Sequence, residues 1–168
     1  MERRDHKEKK SAQSVVAAKN APLKPTMIPA IAPSLSMVVV DGTIKIGAID
    51  DVAAAAIKRP AGPIHLPEGI PGRKGFGLLH IESNPGRVTM IKGLGFTNAI
   101  NFIADVARNW TAILQGDDDR IILIREKDGY GQRIIVEQIR HKNAVCWSVI
   151  TAIPARKIGP KEIVLFRK

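Results

Sequence analysis

Cysteine occurs once in these 168 residues, at Cys146, so no internal disulfide can form and no cysteine-based zinc cluster can be built. Set among apolar neighbours in a β-prone run, Cys146 reads as inert core. No apolar stretch approaches the ~18 residues of a membrane span. The basic start from Met1 to Lys10 lacks the hydrophobic segment that follows in a signal peptide. Aromatics are scarce at 4%, and Trp110, one of the few, reads as a core anchor rather than a base-stacking platform. Acidic residues are outnumbered, 16 against 26 basic ones, for a net charge of +10. That balance points to a polyanionic partner, nucleic acid first, with an acidic protein or a membrane surface as competitors.

What is present fits a soluble globular protein: 45% hydrophobic and 25% charged residues are enough to build a core. Residues 1–36 read as a basic, proline-rich arm or linker, with Arg3, Arg4, Lys7, Lys9 and Lys10 followed by Pro22, Pro25, Pro29 and Pro33. Residues 37–168 read as one domain.

Within that domain, Met37–Val40 and Thr43–Ile46 flank Asp41-Gly42, a short-range hairpin signal. Asp50 or Asp51 caps a short alanine-rich helix that Pro60 stops. Pro63–Leu66 is extended, and His65 within it is the kind of lone strand histidine that is usually structural. Leu78–Ser83 forms a helical turn or two, ended by Pro85 and Gly86. Thr97 then caps the clearest helix, in which Ile100, Ile103, Val106 and Ala107, with Phe102 and Trp110, lay one face on a core. From Arg120 the pattern changes to strands: Arg120–Arg125, Arg133–Arg140 after a turn at Asp128–Gly131, Ala144–Thr151, and Ile163–Arg167. Helices first and a meander afterwards predict an α+β fold, with N-terminal helices packed on a four-stranded antiparallel sheet.

The stretch Gly72-Arg73-Lys74-Gly75-Phe76-Gly77-Leu78-Leu79-His80 is the candidate site. A cationic, glycine-rich loop brings backbone N–H groups and basic side chains to a phosphate. His80, at its edge, is an acid/base candidate because imidazole titrates near neutral pH.

Thr43–Ala48, the alanine-rich helix, Gly62–Leu66, the Gly75–Ile81 core, Gly95-Phe96 and the late Trp147–Lys157 together resemble the phage branch of the Barnase/EndoU/colicin/RelE nuclease superfamily. Such domains often end larger phage head-associated or polymorphic-toxin proteins. The resemblance implies the same α+β fold and metal-independent cleavage of cellular RNA, transfer RNA among the candidate substrates. It needs no cofactor. It also implies a cognate immunity protein or antitoxin, a monomeric chain, and action in the cytoplasm, whether made there or delivered by a phage particle or secretion apparatus. One departure is visible: where such domains frequently carry a second histidine, this chain has Ser83-Asn84-Pro85-Gly86. A non-catalytic nucleic-acid-binding module is the alternative.

Cleavage of this kind uses the RNA 2′-hydroxyl as nucleophile and leaves a 2′,3′-cyclic phosphate. The enzyme takes one proton, supplies another, and stabilises charge on phosphorus. His80, Lys74, Thr151 and Arg156 are the catalytic candidates, and Arg73, Arg125, Arg140, Lys157 and His65 the substrate-binding ones. Arginine is favoured for its forked donors. Thr151 or Ser148 could donate to a phosphate oxygen, but in a regular strand an offset of three puts the two on opposite faces; Thr151 is preferred because it falls in the segment of the resemblance that leads to Arg156. Glu137 reads equally as a general base or as the partner of a cross-strand arginine. Asp117, Asp118 and Asp119, consecutive in a turn, read as a solvated loop rather than a metal cluster.

Overall fold

Two long alternating segments, rich in Ile and Val, form the backbone of the molecule, and the rest of the chain is arranged on either side of them. The structure is a computed structural model and describes residues 35–127 and 129–168; nearly all of the proposed arm, and Asp128, lie outside the described residues. In chain order the elements are β1 (Lys45–Ile49), α1 (Asp51–Ile57), β2 (Gly62–His65), α2 (Gly77–Glu82), α3 (Pro85–Gly93), α4 (Ala99–Asn109), β3 (Ala112–Gln115), β4 (Ile121–Lys127), β5 (Tyr130–His141), β6 (Ala144–Arg156) and β7 (Val164–Arg167).

The strands form one sheet in the order β1-β2-β6-β5-β4-β3-β7, curled into a half-barrel. Every neighbouring pair is antiparallel except β2 and β6, which run parallel through Ile64–Trp147 and His65–Ser148. The expected four-stranded antiparallel sheet behind N-terminal helices is therefore incorrect. Two strands precede most of the helices, and the sheet has seven strands of mixed direction. The parallel pairing of β2 with β6 joins positions more than eighty residues apart, and no local pattern encodes it. β3 is four residues long with its first three buried, so it lacks the alternation that marks a half-exposed strand.

Local chemistry explains most of the helices. Asp50 caps α1 by accepting from the Ala53 N–H at 2.8 Å, and Lys58 closes it in the left-handed conformation at φ 54°. Asn98, not Thr97, caps α4, accepting from the Asn101 N–H at 2.9 Å. Pro85, expected to end a helix, instead starts α3 at a first-turn position where its missing N–H costs nothing. Ala99, Phe102, Ile103, Val106 and Ala107 give α4 a buried face, which packs on β1, β4 and β5.

The core lies between the helices and one face of the sheet, where Ile113, Leu123, Ile134, Val136, Trp147, Val149 and Ala152 are all fully buried. Trp110 and Trp147 anchor it, their indole N–H groups bonded to the carbonyls of Ala48 at 3.1 Å and Pro60 at 3.2 Å. Replacing either with alanine should cost about 3–5 kcal/mol.

A second, smaller apolar cluster of Ala112, Leu114 and Ile124 lies on the opposite face under Ile158. Beside it Arg133, fully buried, pairs with Glu162 at 2.5 Å and donates to the Lys157 carbonyl at 3.0 Å. The 157–163 segment is thus pinned across the outer face of the sheet.

Candidate functional site

The site begins with a small hairpin between β2 and α2. Ile70 and Phe76 exchange two backbone hydrogen bonds at 3.1 Å, and the Gly75 N–H closes a tight turn onto the Gly72 carbonyl at 3.0 Å. Arg73 and Lys74 occupy the tip. The glycines are sterically required: a Cβ on Gly75 would lie 2.0 Å from the Ile70 oxygen, and one on Gly69, at φ +71°, would lie 1.9 Å from the Phe76 oxygen.

His80 and Ser83 of the following helical segment hold this turn in place. His80 Nδ1 donates to the Gly72 carbonyl at 2.7 Å. Ser83 Oγ accepts from the Gly72 N–H at 3.2 Å and donates to the His80 carbonyl at 2.9 Å. One peptide unit is thereby gripped from both ends. The Ser83 position, where the resemblance leads one to look for a second histidine, serves here as a clip.

The loop overhangs a groove of about 430 Å³ on the outer face of the sheet, lined by Arg73, Lys74 and Phe76 from the loop, by Arg120 just before β4, and by Glu137, Ile139, Ser148 and Ile150 from β5 and β6. Its floor follows from the register. Glu137 pairs with Ser148, and Ser148 with His65. Arg120 immediately precedes Ile121, the partner of Val136, so it lands beside Glu137 with its Nε 3.8 Å from the carboxylate. Both side chains keep about a third or more of their surface in water. A pair so exposed contributes at most ~1 kcal/mol.

The strand carrying Ser148 is not regular. Val136 pairs with Val149 but Ile135 with Thr151, which leaves Ile150 as an extra residue in β6. Cross-strand partners share a face. Ile134/Ala152 and Val136/Val149 are core pairs, so Ile135/Thr151 and Glu137/Ser148 lie together on the outer face. Ser148 and Thr151, three positions apart, thus point the same way.

The structure brings only some of the expected residues into the groove. Arg73 and Lys74 line it. His80 does not; it supports the loop from behind. Thr151 lies farther along β6, where Arg87 of α3 donates to its hydroxyl at 3.0 Å; burial lowers the Arg87 pKa from its ordinary value. Arg156 ends β6 opposite Gly131, and Lys157 stands 5.8 Å from the centre of the Tyr130 ring. Arg140 is exposed near the end of β5. Arg125 faces α4 and pairs with Asp105.

His65 is 6% exposed, with Nδ1 bonded to the Ile44 carbonyl at 2.8 Å. Burial lowers its pKa against the opposing effect of that hydrogen bond, with His141 and Lys45 adding to the decrease. Cys146 is buried, which pushes its thiol pKa up. Asp119 pairs with Arg59, and among the described residues no three His, Cys, Asp or Glu side chains are placed to hold a metal. No described helix is long and apolar enough to cross a membrane.

Of the groove residues, Arg120 was not singled out by the sequence as a candidate, and Ser148 was weighed but placed second to Thr151. Arg120 stands at a strand start like any solubilising charge, and regular strand periodicity makes Ser148 and Thr151 exclusive alternatives until the bulge is known. Comparison with family models, with curated proteins and with solved structures gives no match.

Proposed function

We propose that the outer-face groove binds single-stranded RNA and cleaves it without a metal, with Glu137 as the general base. One observation carries this reading: among the described residues lining the groove, Glu137 is the single carboxylate; it shares the groove with Arg73 and Lys74 and pairs with Arg120. A phosphodiester drawn to the three cations would displace Arg120 from Glu137 and bring its 2′-hydroxyl to the freed carboxylate.

Glu137 takes the 2′ proton as the 2′ oxygen bonds to phosphorus. The P–O5′ bond breaks, and the departing oxygen takes a proton from water in the open groove. The loop cations and Arg120 stabilise the added charge on the phosphorane. His80, held by its Nδ1–H to the Gly72 carbonyl, serves as a positioning residue.

The test is incubation of the full chain with total RNA in EDTA. Fragments ending in 2′,3′-cyclic phosphate, lost in Glu137→Gln with RNA binding retained, support the reading. Binding without cleavage in the native chain would reduce the site to a non-catalytic nucleic-acid-binding module.

A further inference from the structure

Ser148 is 2% exposed, yet it lines the groove, and its hydroxyl makes no hydrogen bond to any described residue. A polar side chain so buried normally finds a partner inside the protein. Both of its cross-strand neighbours are engaged elsewhere. Glu137, its partner on β5, faces Arg120, and His65, its partner on β2, turns Nδ1 to the Ile44 carbonyl at 2.8 Å. The Ser148 O–H is thus left for whatever enters the groove. Thr151 differs on both counts: it lies outside the groove lining, and its hydroxyl accepts from Arg87 at 3.0 Å.

Register sets how far Ser148 stands from Glu137. Directly opposed residues of an antiparallel pair have Cβ atoms about 4.5–5.5 Å apart on one face. The 2′-hydroxyl of a ribonucleotide and the non-bridging oxygens of the adjoining phosphate belong to one linkage, and a carboxylate and a hydroxyl at that spacing reach one each. The groove also has two walls of different chemistry. Arg73 and Lys74 lie on the overhanging loop and Ser148 on the sheet floor, so the two non-bridging oxygens, which are stereochemically distinct, meet different donors.

Resting on the RNA reading above, we infer that Ser148 is a second catalytic residue of this groove, donating its O–H to one non-bridging oxygen of the scissile phosphate. The bond tightens as the 2′ oxygen attacks and negative charge builds on that oxygen. Ser148 keeps its own proton throughout, and the 2′ proton goes to Glu137. A single fixed donor on the floor makes the reaction sensitive to which of the two oxygens faces it.

The test gives the full chain, in EDTA, a set of oligodeoxynucleotides that each hold one ribonucleotide, A, C, G or U, so that cleavage is confined to a single linkage. That linkage is an ordinary phosphate or a phosphorothioate of Rp or Sp configuration. Sulfur is a weak hydrogen-bond acceptor, so the native chain should cleave one diastereomer about tenfold more slowly than the phosphate, the scale of one hydrogen bond to a charged group. Ser148→Ala should lower kcat on the phosphate by about 10²-fold with KM nearly unchanged, and the penalty on that diastereomer should vanish. Its melting temperature should stay at the native value, because the hydroxyl makes no bond within the described fold. If Ser148→Ala cleaves the phosphate at the native rate, or both diastereomers keep their native rates relative to phosphate, while Glu137→Gln is inactive, the assignment is wrong and the groove stands. If the native chain cleaves none of the substrates, the RNA reading itself fails, and the role of Ser148 with it.

Discussion

His80 Nδ1 lies 2.7 Å from the carbonyl oxygen of Gly72, the same oxygen that accepts the Gly75 N–H at 3.0 Å. A histidine that invites a catalytic role therefore acts as a brace for the turn that carries Arg73 and Lys74. His80→Ala should raise KM for RNA several-fold while leaving kcat and the pH–rate profile nearly unchanged. His80→Asn, which keeps an N–H at a similar reach, should recover most of the loss. A collapse of kcat in both variants would restore His80 to the chemistry.

The same loop gives a purely steric prediction. Gly75→Ala puts a methyl 2.0 Å from the Ile70 oxygen, so the hairpin must open. RNA affinity should then fall roughly tenfold, the scale expected when two phosphate contacts are lost. At Gly72 the added methyl meets nothing within 4 Å. Gly72→Ala should cost only the ~1–2 kcal/mol of a left-handed alanine. Oligonucleotide titrations and thermal melts of the two variants separate the effects.

Buried Arg133 and partly buried Glu162 make the link under the 157–163 segment, and Arg133 Nε has no partner among the described residues. Glu162→Gln should destabilise the chain by about 3–5 kcal/mol, because it leaves a buried guanidinium without its counter-charge. Arg133→Met with Glu162→Leu should recover much of that, since it removes the desolvated charges together. Guanidinium denaturation at pH 7 measures both.

Acid should act on the fold in two steps. The folded pKa of His65 is lowered, chiefly by burial, so below its ordinary value near ~6.5 the unfolded chain binds a proton that the folded chain does not. Stability falls as pH drops from there toward the lowered value. The Glu162 pKa is lowered first by the hydrogen bond from Arg133, against an opposing effect of burial, with the Gly159 N–H and the charges of Arg133 and Arg156 assisting. Its contribution is present above the ordinary carboxylate value of ~4.3 and is lost as pH falls through the folded value. Denaturation midpoints between pH 3 and 8 should show both declines. His65→Gln should remove the upper one, and Glu162→Gln should flatten the lower.

Patterns of near neighbours determined a good part of this protein. The apolar spacing of 99–107 specified α4, Asp50 and Pro60 bounded the stretch that holds α1, and the alternation of Ile and Val specified β4–β6. At Asp41-Gly42 the expected turn forms, with both residues at positive φ and Val40 bridged to Thr43. Its first arm, however, lies against Leu66 and Pro67 instead of continuing the hairpin.

Tertiary structure alone decided the rest. β2 chose β6 as its parallel neighbour, and β3 was buried too completely to alternate. One extra residue at Ile150 turned Thr151 to the same face as Ser148. Glu137 and Arg120 met because β4 and β5 pair in one register, and a slip of one residue would have sent Glu137 to the core face. Helical and strand periodicity are written in adjacent residues, whereas register and strand order depend on which distant surfaces exclude water together. The groove is made almost wholly from the second kind of information.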